Sequence, residues 1–329
     1  MLRRLAAVLG ILGRLAFTAA ACTAAACTAL AQDYPAKPVR LIVPFAAGGS
    51  ADVFARAFAQ RAQLRQPIVV EDVPGASGAV GLARAARSAP DGYTLTTAAT
   101  STFAVSPHIN AKLPYDPLKD FVPIAIMGQI VSALVVNESV PAKNVNELVA
   151  LAKSNPGKLN YASLGPGSTH HMLGEMFGRT TGISLVHVPY KGSPQALSAL
   201  LAGEVQLFFF PAFVDAMGHL QSGRLRAFGV TGTRRSPAAP DVPTLPELGY
   251  DIVAPTWHVL VAPAGTPGPI VRLLAAEVQR VNTQEDMRRL LAQQGADATP
   301  MAPEELKNYL AAEYARYGRI IPELGIRAE

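Results

Sequence analysis

Two glycine loops of the sequence have the composition of anion-binding sites. The first, Gly48-Gly49-Ser50, follows an apolar run over 39–45 and precedes a helical pattern over 51–64. The second, Gly165-Pro166-Gly167-Ser168-Thr169, also stands between a strand pattern and a helical pattern. Glycines let a ligand approach the backbone closely, and the N–H groups at a helix N-terminus favour an anion. The alternative for each loop is an ordinary strand-to-helix turn, in which the glycines only supply backbone freedom.

Polar side chains beside these loops are candidate ligand contacts. Ser168 or Thr169 can cap the following helix and also present a hydroxyl to a ligand. Ser77, in the turn over 74–78, is either a helix N-cap or a ligand contact, and capping is the safer interpretation. Tyr190 ends a strand pattern, where it can stack on a ligand or bond to it. Lys191 is as readily a solvated lysine as a source of positive potential.

The motifs of nucleotide, metal and hydrolase sites are absent or weak. Neither loop reads GxGxxG or carries a P-loop lysine, which argues against dinucleotide and nucleoside triphosphate binding. His170 and His171 point in different directions on a helix, and no Cys, Asp or Glu stands at ligand spacing with both. There is no GxSxG motif, and Ser168 beside these histidines seldom has nucleophile–base geometry. We expect a binding protein without cofactor or metal, with a hydrolase using Ser168 as the rival.

The elements that position these loops alternate between strands and helices. Strand patterns over 39–45, 68–73 and 93–98 are separated by helix-length segments, and the middle of the chain repeats the alternation. The strand over 205–210 is so apolar that it should be buried on both faces. Such alternation indicates βαβ units and a parallel sheet. The predicted fold class is therefore α/β.

The N-terminus predicts export. Residues 1–4 form a basic segment, and an apolar, alanine-rich run interrupted by Arg14 follows. Ala29-Leu30-Ala31 is the small-x-small pattern of a signal-peptidase site, so 1–31 is predicted to be a signal peptide cut before Gln32. The alternative is a membrane anchor, which Arg14 within the run argues against. The predicted location of the mature protein is the periplasm.

Cysteine and charge usage exclude further classes of protein. Cys22 and Cys27 both precede the predicted cut, so the mature chain has neither a disulfide framework nor a thiol nucleophile. A lipoprotein would acylate one of them, but neither follows the leucine that a lipobox prefers. The precursor has 29 Lys and Arg against 24 Asp and Glu. Without the arginines at 3, 4 and 14 the mature chain has a net charge of about +2. A charge this small does not indicate a nucleic-acid-binding protein.

Six segments, in their order along the chain, resemble a known family. They occur in the substrate-binding receptors of tripartite tricarboxylate transporters, the Bug group of periplasmic receptors. Each segment alone is a weak signal, whereas the ordered set is specific and spans essentially the whole mature chain. The segments are PFAAGGSADVFAR (44–56), VPGASGAVG (73–81), PDGYTL (90–95), HVPYKG (187–192), VPTLPELGY (242–250) and APAGTP (262–267).

The resemblance implies a type II-like Venus flytrap, with two α/β lobes and a ligand cleft between them. Lobe one is expected over 33–129 and 232–329, and lobe two over 130–231, with crossing strands near 124–132 and 225–231 as the hinge. The implied protein is a monomeric solute receptor, not an enzyme, that delivers its ligand to membrane transport subunits. A ligand sensor for a membrane signalling system is the alternative.

In that family the ligand's carboxylate is held mainly by backbone N–H groups and bridging waters. Carried over to this chain, the resemblance implies that residues of the first lobe line one wall of the ligand cleft and residues of the second lobe line the other. The first set is Phe45, Ala47, Gly48, Gly49, Ser50, Asp52 and Ser77, with Thr100 and Ser101 as further candidates. The second set is Gly167, Ser168, Thr169, His170 and Tyr190, with Phe210 at a neighbouring strand end.

Two positions depart from the family pattern. Ala47 stands where the family usually has proline. Phe210 stands near the place where many relatives have an aspartate facing the cleft. An apolar wall cannot pair a ligand's ammonium group, and an unpaired buried charge is costly. The expected ligand is therefore a carboxylate without an amino group, such as a di- or tricarboxylate or an aromatic acid.

Overall fold

The computed structural model describes residues 34–210 and 213–326, which form two sheets flanked by helices. The predicted signal peptide and both cysteines lie outside these residues. No helix within the two described ranges is long and apolar enough to cross a membrane. The strands are β1 Val39–Val43, β2 Ile68–Asp72, β3 Thr94–Ala99, β4 Phe121–Ile130, β5 Ala133–Asn137, β6 Leu159–Ser163, β7 Leu185–Pro189, β8 Leu207–Phe210, β9 Leu225–Val230, β10 Thr256–Pro263 and β11 Ala296–Asp297. The α-helices are α1 Ser50–Arg61, α2 Ala79–Ala86, α3 Ser106–Ile109, α4 Val145–Ser154, α5 Thr169–Thr181, α6 Ser193–Ala202, α7 Phe213–Gln221, α8 Gly268–Asn282, α9 Glu285–Gln293 and α10 Pro303–Leu324.

The first sheet has six strands in the order β11-β4-β10-β3-β1-β2. Strand β1 pairs in parallel with both β2 and β3, whereas β10 runs antiparallel between β3 and β4. Strand β4 is therefore parallel to β3. The carboxyl ends of β1, β2, β3 and β4 consequently lie at one edge of the sheet.

The second sheet has five strands in the order β7-β6-β8-β5-β9. Strand β6 is parallel to β7 and β8, and β5 is antiparallel to β8 and β9. Strand β8 is buried throughout, as its composition predicts. Leu207 and Phe209 belong to one apolar cluster, and Phe208 and Phe210 to another. These two clusters cover opposite faces of the sheet because successive side chains of a strand alternate.

The two sheets are joined where Val131-Ser132 links β4 to β5. Ser132 donates its N–H to Thr231 Oγ1 at 3.0 Å, and Thr231 returns its own N–H to the Ser132 carbonyl at 2.9 Å. Ala254 then donates to the Thr231 carbonyl at 3.0 Å. Thr231, which is fully buried, thus fastens three crossing segments to one another.

The chain does not leave the second sheet directly after Thr231. Thr244 forms a parallel bridge with Val230, and Leu245 donates to the Val230 carbonyl at 2.8 Å. Tyr250 bonds Asn146 of α4 through its hydroxyl at 2.6 Å. Residues 238–250 therefore pack with the second sheet, whereas Arg234 pairs with Asp297 of β11 in the first sheet at 3.0 Å. We propose a return crossing at 254–255, later than the lobe boundary at 232 expected from the sequence.

Candidate functional site

The site is built at the carboxyl ends of the parallel strands. In the first sheet these ends lead into the loop 44–49, the turn 73–78 and the π-helical turn that begins at Ser101. In the second sheet, β8 ends at Phe210, which pairs with Ala133 at the crossing. The carboxyl ends of β6 and β7 lie at this same edge, with the loops after 163 and 189. Ligands of open α/β sheets bind outside the carboxyl ends of the strands, so both sheets direct these loops toward the crossing.

Asp52 shapes the first loop from within. Its side chain is only 4% exposed, its Oδ2 accepts the Gly48 N–H at 2.8 Å, and its Oδ1 pairs with Arg56 Nε at 2.6 Å. Gly48 has a φ of +84°, which favours glycine. Both carboxylate oxygens are thus engaged by the protein, while 46–49 are exposed. Asp52 holds the loop in shape and takes the Gly48 N–H, and the rest of the exposed backbone of 46–49 stays accessible to a ligand.

Ser50 begins α1 beside a buried histidine that sequence reasoning missed. His258 Nε2 lies 3.0 Å from Ser50 Oγ, and His258 is 5% exposed. Burial lowers the pKa of His258 to about 4, so its imidazole is neutral at physiological pH. A histidine in the apolar stretch after Trp257 is ordinarily a core residue, and its contact with Ser50 spans 208 positions. No local pattern signals such a contact.

The loop after β2 contains a run of positive φ angles. Gly75, Ala76, Ser77 and Gly78 have φ values of 140°, 46°, 53° and 97°. A Cβ on Gly78 would lie 3.5 Å from the Phe45 ring and 2.7 Å from Thr102 Cγ2, so this turn packs beside the first loop. Left-handed geometry is costly for non-glycine residues and clusters at ligand sites. The turn thus brings Ser77 and Phe45, two predicted site residues, into one corner.

The capping role predicted for Ser77 is wrong. The N-cap of α2 is Gly78, and it makes no side-chain capping bond. The reason is the left-handed backbone of 75–78. Because the turn ends at Gly78, the helix begins one residue later than a cap at Ser77 would require, and Gly78 takes the capping position. The composition of the turn does not reveal this backbone geometry.

The second glycine loop is stabilised by its own helix. Ser168 is the N-cap of α5 and accepts the His171 N–H at 3.2 Å, which confirms the predicted cap. His171 Nδ1 accepts the Gly167 N–H at 3.1 Å. Gly167 has a φ of +72° and is packed against Ile109 of α3. This packing brings the second lobe's loop against the first lobe.

His170 and Thr169 are both buried at the start of α5. The His170 ring lies 5.5 Å from Phe208, and neither of its nitrogens has a hydrogen-bond partner in the described part of the chain. Burial lowers the pKa of His170 to about 4, so it too is neutral. A neutral imidazole adds no fixed charge to this end of the second sheet.

The remaining predicted residues occupy different environments. Thr100 is fully buried, and its hydroxyl donates to the Pro255 carbonyl at 3.2 Å and accepts the Trp257 N–H at 2.9 Å. Ser101 is half-buried at the start of a π-helical turn. Tyr190 is half-buried, and its N–H donates to the Ser163 carbonyl at 2.9 Å. Phe210 is buried and lies edge-on to Phe208 at 5.2 Å. Thr100 is therefore occupied in joining β3 to β10.

The contact between Gly167 and Ile109 gives a prediction about ligand binding. A Cβ at 167 would lie 2.2 Å from Ile109 Cδ1, so Gly167→Ala must displace either the Ile109 side chain or the loop itself. Gly165→Ala is the matched control, because Gly165 also has a positive φ of +106° but open space around it. We expect Gly167→Ala to weaken ligand binding about tenfold more than Gly165→Ala, measured by calorimetry. Ile109→Ala should recover part of the loss, and equal effects of the two glycine variants would contradict the contact.

Two α/β lobes joined by crossing segments, with loops at the strand ends between them, define a periplasmic solute-binding protein. The chain belongs to the tripartite tricarboxylate transporter family receptors, whose family pattern matches residues 54–326. Members of this family are periplasmic binding proteins, so the chain is a solute receptor and not an enzyme. The predicted family, the two-lobed α/β fold and the receptor class are confirmed, and the hydrolase alternative is set aside.

Individual relatives agree with this assignment. Protein BugT of Bordetella pertussis is 36% identical over 330 residues, covering 98% of each chain. An R. palustris protein solved with adipate has a TM-score of 0.80 and 30% identity, and the match covers 90% of this chain and 99% of that one. MatC from Rhodopseudomonas palustris with bound malate has a TM-score of 0.75 and 34% identity, and the match covers 88% of this chain and 100% of that one.

Proposed function

We propose that this receptor binds a small di- or tricarboxylate or an aromatic acid between its lobes and delivers it to membrane transport subunits. The observation that carries the proposal is the turn Gly75–Gly78, whose four positive φ angles lie at the carboxyl end of β2 and beside Phe45. Successive backbone N–H groups in such turns form concavities that bind anions. The start of α1, beside the same corner, adds the positive end of a helix dipole.

The neutral histidines and Phe210 support an acid without an amino group. His170 and His258 are held neutral by burial, and Phe210 lies in an apolar cluster with Phe208. Among the predicted site residues, only Asp52 has a carboxylate, and it is bonded to Gly48 and Arg56. A ligand ammonium group could pair with Asp52 only by displacing one of these partners, at a cost in desolvation. The relatives solved with adipate and malate carry acids that have no amino group.

Export and partners complete the proposal. The mature receptor begins after Ala31, acts in the periplasm and works as a monomer. Ligand closes the two lobes about the crossing segments, because it favours the state in which both sets of loops contact it. The membrane transport subunits then recognise the closed form.

A thermal-shift experiment tests the ligand class. The mature protein is denatured and refolded to remove carried ligand, then melted with adipate, malate, benzoate, glutarate and glutamate. A ligand at a hundred times its Kd should stabilise the fold by about 2.7 kcal/mol. Glutarate and glutamate differ by one ammonium group, so they are the matched pair. We expect a larger rise in Tm with glutarate; a larger rise with glutamate contradicts the preference, and no rise with any acid contradicts the receptor's ligand class.

A further inference from the structure

We propose that His258 is a positioning residue that turns the Ser50 hydroxyl proton toward the bound carboxylate. The inference rests on the proposed function and adds a specificity element to its site. His258 lies near the start of β10, where it pairs with Ala99 of β3 and Gly128 of β4. It therefore reaches Ser50 from a strand in the middle of the first sheet. A rigid strand fixes the donor better than a loop does.

Packing holds the His258 ring in one orientation. The ring lies 5.4 Å from Phe54 of α1 at an interplanar angle of 77°. A Cβ at Gly128 would lie 2.8 Å from Phe54, so only glycine leaves room for this arrangement. Phe54 is fully buried. The imidazole thus has little freedom to turn away from Ser50.

The tautomer follows from what surrounds the two ring nitrogens. Nε2 lies 3.0 Å from Ser50 Oγ, whereas Nδ1 is buried with no partner among the described residues. A neutral ring carries its proton on one nitrogen only. If Nδ1 carried it, a buried N–H would have no acceptor, which is rarer in proteins than an under-satisfied acceptor. The proton therefore belongs on Nε2, which donates to Ser50 Oγ.

The consequence is a directed hydroxyl at the start of α1. Because Ser50 Oγ accepts from His258, its own proton is free to point into the cleft. Ser50 is half-buried and adjoins the exposed backbone of 46–49. A carboxylate oxygen accepts both that hydroxyl and the nearby N–H groups. With the opposite tautomer the Ser50 hydroxyl would donate its proton to His258 Nε2. An oxygen lone pair of Ser50 would then face the carboxylate.

Three single variants, the double variant of Ser50→Ala with His258→Leu, and one spectrum test the proposal, with adipate as the probe. His258→Leu cannot donate, Ser50→Ala cannot relay, and His258→Gln places an amide N–H near the position of Nε2. We expect His258→Leu and Ser50→Ala each to weaken adipate binding about tenfold, the loss of one hydrogen bond to a charged group. The double variant should be no weaker than Ser50→Ala alone. His258→Gln should bind within about threefold of the wild type.

The spectrum separates this inference from the proposed function. Nitrogen-15 imidazole correlations of the ligand-free protein should show His258 protonated at Nε2, with the signal assigned by its loss in His258→Gln. Protonation at Nδ1 overturns the inference whether or not any acid binds. The inference is also overturned if the double variant loses adipate affinity by the product of the two single losses. It is overturned as well if His258→Leu has both the adipate affinity and the melting temperature of the wild type. Failure of every acid to bind, with the Nε2 signal present, instead faults the proposed ligand class.

Discussion

Replacing Gly174 by alanine should destabilise the folded receptor by about 3 kcal/mol, the upper range for overpacking a core. Gly174 faces the second sheet from the middle of α5, and a Cβ there would lie 2.1 Å from Tyr161 Cε2 and 2.5 Å from two further ring atoms. The Tyr161 ring cannot move away from the added methyl group. It is fully buried, stacks on His187 at 5.1 Å and donates its hydroxyl to Glu175 at 2.6 Å. The helix must therefore move away from the sheet, or the tyrosine must leave its bonds.

Gly218→Ala is the control for this prediction. Gly218 also lies within a helix, α7, but a Cβ there meets nothing within 4 Å. It should be neutral or slightly stabilising, since alanine favours helix by about 1 kcal/mol over glycine. Tyr161→Leu should make the Gly174→Ala change less costly, because the shorter side chain frees the space. Thermal melts in which Gly174→Ala matches the wild type would contradict the packing of α5 on β6.

Acidification from pH 7.5 to pH 5 should destabilise the folded receptor. His170 and His258 have pKa values lowered from 6.5 to about 4 by burial. Between these values the unfolded chain binds a proton at each of these two histidines that the folded chain does not, so the folded state is most stable above pH 6.5 and loses stability as the pH falls toward 4. Burial also lowers the pKa of His171, which adds to the loss in the same direction. At pH 5 each histidine should cost about 2 kcal/mol, and the pair about 4 kcal/mol. The melting temperature should then fall by about 10 °C between pH 7.5 and pH 5.

Two measurements check the origin of this pH dependence. The His170 and His258 ring protons, followed by NMR, should show no titration above pH 5. His170→Leu and His258→Leu should each remove a similar, large part of the fall in Tm, because each removes one proton that the unfolded chain binds and the folded chain does not. A titration of either ring near pH 6.5 would contradict its burial.

Strand and helix patterns were enough to predict the α/β class, because their signal is local, whereas the two lobes were expected only from the family resemblance. The apolar run at 205–210 predicted β8, and the glycine loops predicted the starts of α1 and α5. The return crossing that we propose lies later than the boundary expected from the sequence, because Thr244 and Leu245 bond Val230 across a proline-rich stretch without strand or helix periodicity. Such a segment is placed by tertiary contacts alone.

The candidate site was predictable only in part for the same reason. Glycines and hydroxyls at strand ends are visible in the sequence, so Gly48, Gly167 and Ser168 could be named. The partners that fix them come from distant segments: His258 for Ser50 and Ile109 for Gly167. Ser77 shows the other difficulty: its left-handed φ of 53° belongs to the turn 75–78, which packs at Gly78 against Phe45 and Thr102, and the identity of Ser77 does not signal it.

A crystal structure of the refolded receptor with the acid that gives the largest thermal shift tests the central claim most directly. We expect the carboxylate between the lobes and near the loop 165–170. Its oxygens should lie on backbone N–H groups of 46–50 other than that of Gly48, and on those of Ala76 and Ser77, because the Gly48 and Gly78 N–H groups are bonded within the protein. Density for the acid in another cavity would contradict it. The clearest such place is the space of about 300 Å³ beside the crossing segments, lined by residues that include Arg234, Tyr309 and Arg316.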